Sequence, residues 1–552
     1  MNEKPEIKKV TGGKYWKQTF DDFTVQVVKP DCDAITEIVN FGFMTPYLLV
    51  FAENKMSEQE VLAFAERTGL ASLIKPYGGT VVFVYPATEG GWANAKEDLF
   101  ASVISESKIG QYYDDGLTRM RDRFTGAWGE YYIRGALHRT IVFGCGASAD
   151  FLAKTCLKTV EGDGLYGKGD ITPVTLVLEK LSVIPSPERS DMAVLSVGNS
   201  DAANKALQEK IAHLRITEQA DYVKEFAFLK QYRRMVGKLE EEITPESLGL
   251  AAEPGYVEVT TSKDNRGDDQ GTKSHKIGYV AYYNREAMQQ SDGLPLVMCF
   301  HGGGDSAMCM VTLSDWHQVV AKYGFLLVSV ENHMNSTATE AMEVIEEIKK
   351  KYKVNAEKIY ATGFSMGGCK SWDLFQEYPA AFAAVAPMDA TFEVGVNVFA
   401  QPVEVYNQET ILPVFYVGGE DTPLPELPFQ EAKCLDRMAY VLRINRAKRQ
   451  NNERFDAQEK WKNRIFAIDG DVVCSATDEK TGSVLTMHLF ESENGCCYDI
   501  FASASRQQHE MRWLNCENAW KFLSLFSRKA DGSIEGGRMD EVIRRMEAPL
   551  AK

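Results

Sequence analysis

From about Gly255 to the C-terminus, short uninterrupted apolar runs alternate with longer stretches in which apolar residues recur every three or four positions. Runs apolar on both faces predict strands of a mostly parallel sheet, and the amphipathic stretches predict the helices that cover it. Val257–Thr261 and Ile277–Tyr283 predict opening strands, followed by a strand over Leu294–Phe300, a helix over Ser314–Tyr323 and a strand over Phe325–Val330. In Ala341–Tyr352, Met342, Ile345, Ile348 and Tyr352 share one helical face while Glu and Lys hold the other, which predicts a helix lying on the sheet. Lys358–Thr362 predicts a strand that turns through glycines into a helix ending near Tyr378, and further strands are expected at Ala383–Met388 and Pro413–Val417.

The first half follows the same grammar more loosely. Tyr47–Ala52 and Val81–Tyr85 predict buried strands around a helix at Glu58–Thr68, and Thr140–Phe143 leads into the turn Gly144-Cys145-Gly146-Ala147-Ser148. Strands are also expected at Val174–Leu178 and Met192–Val197, the latter followed by Gly198-Asn199-Ser200-Asp201. A charged helical stretch over Glu218–Glu242 separates the halves. The expectation is thus an α/β fold of two tandem domains, residues 1–222 and 223–552, each a mostly parallel sheet flanked by helices.

Composition narrows the function. With 44% hydrophobic and 25% charged residues the chain is globular, and its formal net charge of −17 argues against nucleic acid or an anionic lipid surface as partner. No apolar stretch is long enough to span a membrane, and Met1–Val10 interleaves Lys and Glu without the apolar core of a secretory signal. The eleven cysteines fall at irregular spacings, as expected of reduced thiols in a cytoplasmic protein rather than of a disulfide framework or zinc site. No cofactor or metal is expected, and a homo-oligomer is one expectation for such a chain.

The chemistry concentrates at Gly363-Phe364-Ser365-Met366-Gly367, a GxSxG pattern standing where a strand gives way to a helix. A sharp turn there exposes the serine hydroxyl, and the flanking glycines let neighbouring backbone approach closely. An alcohol needs a base, and the oxyanion it creates needs donors. His301-Gly302-Gly303-Gly304 follows the apolar strand Leu294–Phe300 as an oxyanion loop does; Gly303 and Met366 are expected to supply backbone N–H groups while His301 orders the loop. Asp421, past the strand Pro413–Val417, is the expected acid, with Glu420 as its alternative. Only His488 and His509 lie beyond it. His488 falls in an alternating strand-like stretch and His509 after a polar loop, which favours His509 as the mobile base.

Residues from about Gly255 to Arg528 resemble the α/β-hydrolase esterases of the polyhydroxybutyrate depolymerase and feruloyl esterase-like group. The resemblance rests on Pro295–Asp305, Ser314-Asp315-Trp316, Lys322–Phe325, Tyr360–Gly368, Tyr378-Pro379, Phe382–Ala384 and Gly418–Asp421. It implies a Ser365, Asp421, His509 triad cleaving carboxylic esters, with His301, Gly302, Phe364 and Trp316 around a small-molecule or oligomeric ester. Aromatic residues near the elbow suit an apolar or aromatic acyl group. The Gly-His before Trp-Pro usual in that group is here Gln508-His509-Glu510-Met511-Arg512-Trp513, and the extra residues at 426–479, including Arg446–Arg454 and Trp461, are expected to form a lid.

Setting the halves side by side puts Gly144 on Gly363 and Gly146 on Ser365, so the first domain is expected to be a degenerate, non-catalytic hydrolase-like unit. Cys145 then falls on Phe364, away from a nucleophile's place. The same triad could serve a serine peptidase, an acyltransferase or a thioesterase, and a binding or scaffolding pseudoenzyme is the rival outside catalysis.

Overall fold

Parallel strands in the interior of a sheet are covered on both faces, which is why Val81–Pro86, Leu294–Phe300 and Leu326–Val330 are almost continuous apolar runs, buried along nearly their whole length. A computed structural model describes residues 5–547 except 40, 42–43, 108–132, 165–166, 236–237, 261–273, 291, 304, 332–335, 391–405, 422–431 and 451–468. The chain divides into two units, Met1–Ile243 and Thr244–Lys552.

The main sheet of the first unit contains β1 (Lys8–Val10), β2 (Gly13–Thr19), β3 (Phe23–Pro30), β4 (Pro46–Phe51), β5 (Val81–Pro86), β6 (Ala136–Cys145), β7 (Thr175–Glu179), β8 (Ala193–Val197) and β9 (His213–Thr217). Their order is β1-β2-β3-β5-β4-β6-β7-β8-β9. The pairings from β1 to β5 are antiparallel, and the rest are parallel.

The second unit repeats this plan. Its main sheet contains β10 (Leu250–Thr260), β11 (Ser274–Asn284), β12 (Leu294–Phe300), β13 (Leu326–Val330), β14 (Val354–Phe364), β15 (Ala384–Met388), β16 (Val414–Gly419), β17 (Val472–Asp478), β18 (Ser483–Glu491) and β19 (Cys497–Ala504). The order is β10-β11-β13-β12-β14-β15-β16-β19-β18-β17, parallel from β13 through β19. Both sheets therefore open with antiparallel pairings, invert one neighbouring pair (β5-β4 and β13-β12) and then run parallel, the second sheet closing with the antiparallel pairings β19-β18 and β18-β17. This is the architecture of tandem α/β-hydrolase-like units. The helix Ala338–Lys351 buries Ala341, Val344, Ile345 and Ile348, and a capping box between Thr337 and Glu340 fixes where it starts.

Two sequence expectations change here. The stretch Glu218–Glu242 is not one helix but the helix Tyr222–Leu229 followed by a hairpin of Tyr232–Met235 and Lys238–Glu241. It closes the first unit, so the division falls at Ile243 rather than at residue 222. A buried ion pair ties it in: both guanidinium ends of Arg139, on β6, donate to the Glu242 carboxylate, with side chains 7% and 2% exposed. Arg139→Ala strands that carboxylate in the interior and should cost about 3–5 kcal/mol of stability. The double replacement Arg139→Met, Glu242→Leu should cost much less, a contrast readable in urea denaturation of the full chain.

The second change concerns the expected lid at 426–479. Its helix Ala432–Ile444 places Val441, Leu442 and Ile444 in the hydrophobic core, and Asn445 after it bonds the Leu412 backbone and the Asp499 carboxyl. Strand β17 extends the sheet by pairing with β18. Much of the insertion is thus a structural part of the unit, while residues 422–431 and 451–468, including Trp461, lie outside the described residues.

Candidate active site

Strand β14 ends at Phe364, and the helix Met366–Glu377 starts two residues later, leaving Ser365 alone to turn the chain. It does so at φ 52° and ψ −116°, a conformation that L-residues avoid and that stores strain on the order of 1–3 kcal/mol. Glycine is required on either side for a steric reason. A Cβ on Gly363 would stand 2.2 Å from the Gly367 carbonyl oxygen, and one on Gly367 would stand 2.0 Å from that of Phe300. The turn is also pinned to the next strand, since the Ser365 N–H donates to the Met388 carbonyl at 2.9 Å.

His509 follows β19 on the segment leading to the helix Trp513–Leu523. Its Nε2 lies 2.9 Å from Ser365 Oγ and its Nδ1 lies 3.0 Å from Asp389 Oδ2. The Phe364 ring packs against the imidazole, centroids 4.7 Å apart. Asp389 is the residue just past β15, itself at φ 47°, and its N–H donates to the Val417 carbonyl at 2.7 Å. Its carboxylate is 4% exposed and also accepts from the backbone N–H groups of Gly419 and Glu510.

Asp389, and not the expected Asp421, is therefore the carboxylate that meets His509. Asp421 is exposed on the turn after β16, where its N–H donates to the Gln507 carbonyl. The alternative, Glu420, accepts from the Ser503 hydroxyl at 2.9 Å. His488 is buried within β18, and its Nδ1 accepts from the Gly470 N–H, so it belongs to the interior. Asp389 escapes a reading that seeks the acid only past the later strand Pro413–Val417. The available signal was its place one residue beyond a parallel strand.

At the oxyanion loop, Gly303 is exposed, and a Cβ there would meet Met366 Cγ at 3.4 Å, so loop and elbow adjoin. Met366 is the first residue of its helix, where the N–H has no intrahelical partner. Among the described residues the N–H groups of Gly303 and Met366 have no protein acceptor, which leaves both available to an oxyanion. His301 is buried and its Nδ1 bonds the Gly302 carbonyl at 2.7 Å, with Glu331 3.9 Å from Nε2, which ties its ring to the loop backbone. Gly304 lies outside the described residues. Trp316, expected beside the substrate, is wholly buried and packs edge-on against Phe325, so it is a core residue instead.

Burial pushes the Asp389 carboxyl above the usual carboxylate range, against the opposing pull of His509 and the two backbone donors. A carboxyl raised in this way favours the fold when protonated, so its contribution is present below the unfolded carboxylate range and is lost as pH rises through the raised value. Urea midpoints measured from about pH 4 to pH 8 should therefore fall with rising pH less steeply in Asp389→Asn than in the parent chain.

The first unit carries the same turn with a glycine at the serine's place. Gly146 adopts φ 56° and ψ −124°, and its N–H donates to the Glu179 carbonyl at 2.9 Å, the counterpart of the Ser365 bond. Lys180, at φ 55° with its N–H on the Val197 carbonyl, stands where Asp389 stands in the second unit. Burial beside Glu179 and Glu53 pushes the Cys145 thiol up to about 11, far from a reactive thiolate.

Fold and site thus define an α/β-hydrolase-type unit with a serine, a histidine and an aspartate in hydrogen-bonded series. No protein-family model matches the chain. Over 134 residues, 23% of the chain, it is 22% identical to the bifunctional acetylxylan esterase/xylanase XynS20E of Neocallimastix patriciarum, and it spans only 19% of that protein's length. Among solved structures it is similar to the acetyl xylan esterase from Aspergillus awamori, with a TM-score of 0.30 and 12% identity, covering 46% of this chain and 94% of that one. It is also similar to the feruloyl esterase module from Clostridium thermocellum, with a TM-score of 0.27 and 14% identity, covering 50% and 88%. Among the described residues no helix is long and apolar enough to cross a membrane.

Proposed function

We propose that the second unit hydrolyses carboxylic esters through an acyl-enzyme on Ser365. The observation that carries this reading is the unbroken series Ser365 Oγ, His509 Nε2 and Nδ1, Asp389 Oδ2, with links of 2.9 and 3.0 Å. The Asp389 carboxylate accepts a hydrogen bond from Nδ1–H, which keeps the proton on Nδ1 and leaves Nε2 free to take the serine proton. As Oγ attacks the ester carbonyl, the new oxyanion is met by the N–H groups of Gly303 and Met366. The imidazolium then protonates the departing alcohol, and a water activated by the same Nε2 releases the acid.

The names of the similar proteins, acetylxylan and feruloyl esterases, agree with ester cleavage, and no step of it calls for a metal or organic cofactor. A peptidase, acyltransferase or thioesterase would use the same groups. The first unit is non-catalytic in this reading, because Gly146 offers no nucleophile and Lys180 no carboxylate. Purified protein should turn over p-nitrophenyl acetate and butyrate, and a fluorophosphonate probe should label Ser365. Absence of both turnover and labelling would overturn the proposal.

A further inference from the structure

Asp305, just beyond the oxyanion loop, has a carboxylate that the reaction above does not use. Its N–H donates to the Gly302 carbonyl at 3.3 Å, folding the residue back over the loop. A Cβ built on Gly302 would stand 2.9 Å from Phe364 Cδ1 and 3.1 Å from Asp305 Oδ2, so the carboxylate and the ring that packs on His509 bracket the same glycine. The one side-chain donor to it among the described residues is the Cys309 thiol, 3.7 Å from Oδ1, and no Lys or Arg pairs with it. Burial pushes this carboxyl up, while the Cys309 thiol and, electrostatically, His509 pull it down.

We infer that Asp305 is a specificity-determining residue that accepts a hydrogen bond from a hydroxyl on the alcohol portion of the ester. Two physical arguments select that ligand, and both rest on the esterase reading. His509 must protonate the departing oxygen, so the group beside the imidazole is the alcohol, on the side where the Phe364 ring leads from His509 to Gly302 and Asp305. A cationic substituent there would oppose the imidazolium formed in each acyl transfer, and an anionic one would be repelled by Asp305 itself. A neutral hydroxyl meets neither objection, and a hydrogen bond to a charged acceptor is among the stronger ones available.

The test compares kcat/KM for 2,3-dihydroxypropyl acetate and propyl acetate in the parent chain, Asp305→Ala and Asp305→Asn. The parent should favour the hydroxylated ester by about 10-fold or more, mostly through KM. Asp305→Ala should erase that preference while propyl acetate stays within about threefold of the parent, as expected of a residue that touches only the missing hydroxyl. A parent ratio near one, or a variant in which both esters decline equally, would overturn the inference. Should Asp305→Ala fail to fold, the nearly isosteric Asp305→Asn decides: a reduced ratio supports the assignment and an unchanged ratio refutes it. Failure of the esterase reading looks different, since it abolishes turnover of both esters together with fluorophosphonate labelling, and takes this inference with it.

Discussion

Replacing Asp389 by asparagine is expected to lower kcat by about 10⁴, whereas Asp421→Asn should change it by less than about threefold. The asymmetry follows from position. Asp389 is the only carboxylate that meets His509 Nδ1 among the described residues, and it is 4% exposed; Asp421 is an exposed turn residue whose backbone N–H bonds the Gln507 carbonyl. An amide at 389 can present its NH₂ to the imidazole, which selects the tautomer with the proton on Nε2, and that nitrogen can then no longer accept from Ser365. Initial rates with p-nitrophenyl acetate separate the two variants. A large loss in Asp421→Asn with little in Asp389→Asn would return the acid to the later strand.

Ser365→Ala and His509→Ala should each lower kcat by about 10⁶, and the double variant should be scarcely worse than either, because nucleophile and base act as one unit. The single effects do not add for a physical reason: without Oγ the imidazole has no proton to take, and without the imidazole Oγ remains a weak nucleophile. Fluorophosphonate labelling should vanish in Ser365→Ala and fall steeply in His509→Ala. His488→Ala is the control, since His488 is buried in β18, where its Nδ1 accepts from the Gly470 N–H. Loss of activity there, with His509→Ala left active, would refute the assignment of the base.

The elements that were legible in the sequence are those whose burial leaves a simple pattern. Leu294–Phe300 is apolar because it lies between two parallel neighbours, and Ala338–Lys351 shows its apolar stripe because one face meets the core. The elbow at Ser365 was legible because steric necessity dictates the residues around it. Strands β2 and β3 were not: in Gly13–Thr19 and Phe23–Pro30, Lys, Gln and Thr interrupt the apolar residues, as antiparallel pairing at a sheet margin permits. The acid was the instructive failure. Asp389 and Asp421 both follow parallel strands, and choosing between them requires knowing that β15 pairs directly with β14 while β16 is one strand farther away, an ordering set by tertiary packing.

That ordering bears on how the enzyme can diversify. Phe364 and Met388 are register partners, so nucleophile and acid each stand one residue beyond a single rung of the ladder. Their spacing is inherited from the backbone pairing and owes nothing to the connection that leaves β16. Because the ladder alone sets where Ser365 and Asp389 stand, substitutions between descendants in segments that join other strands can accumulate without moving the two residues apart.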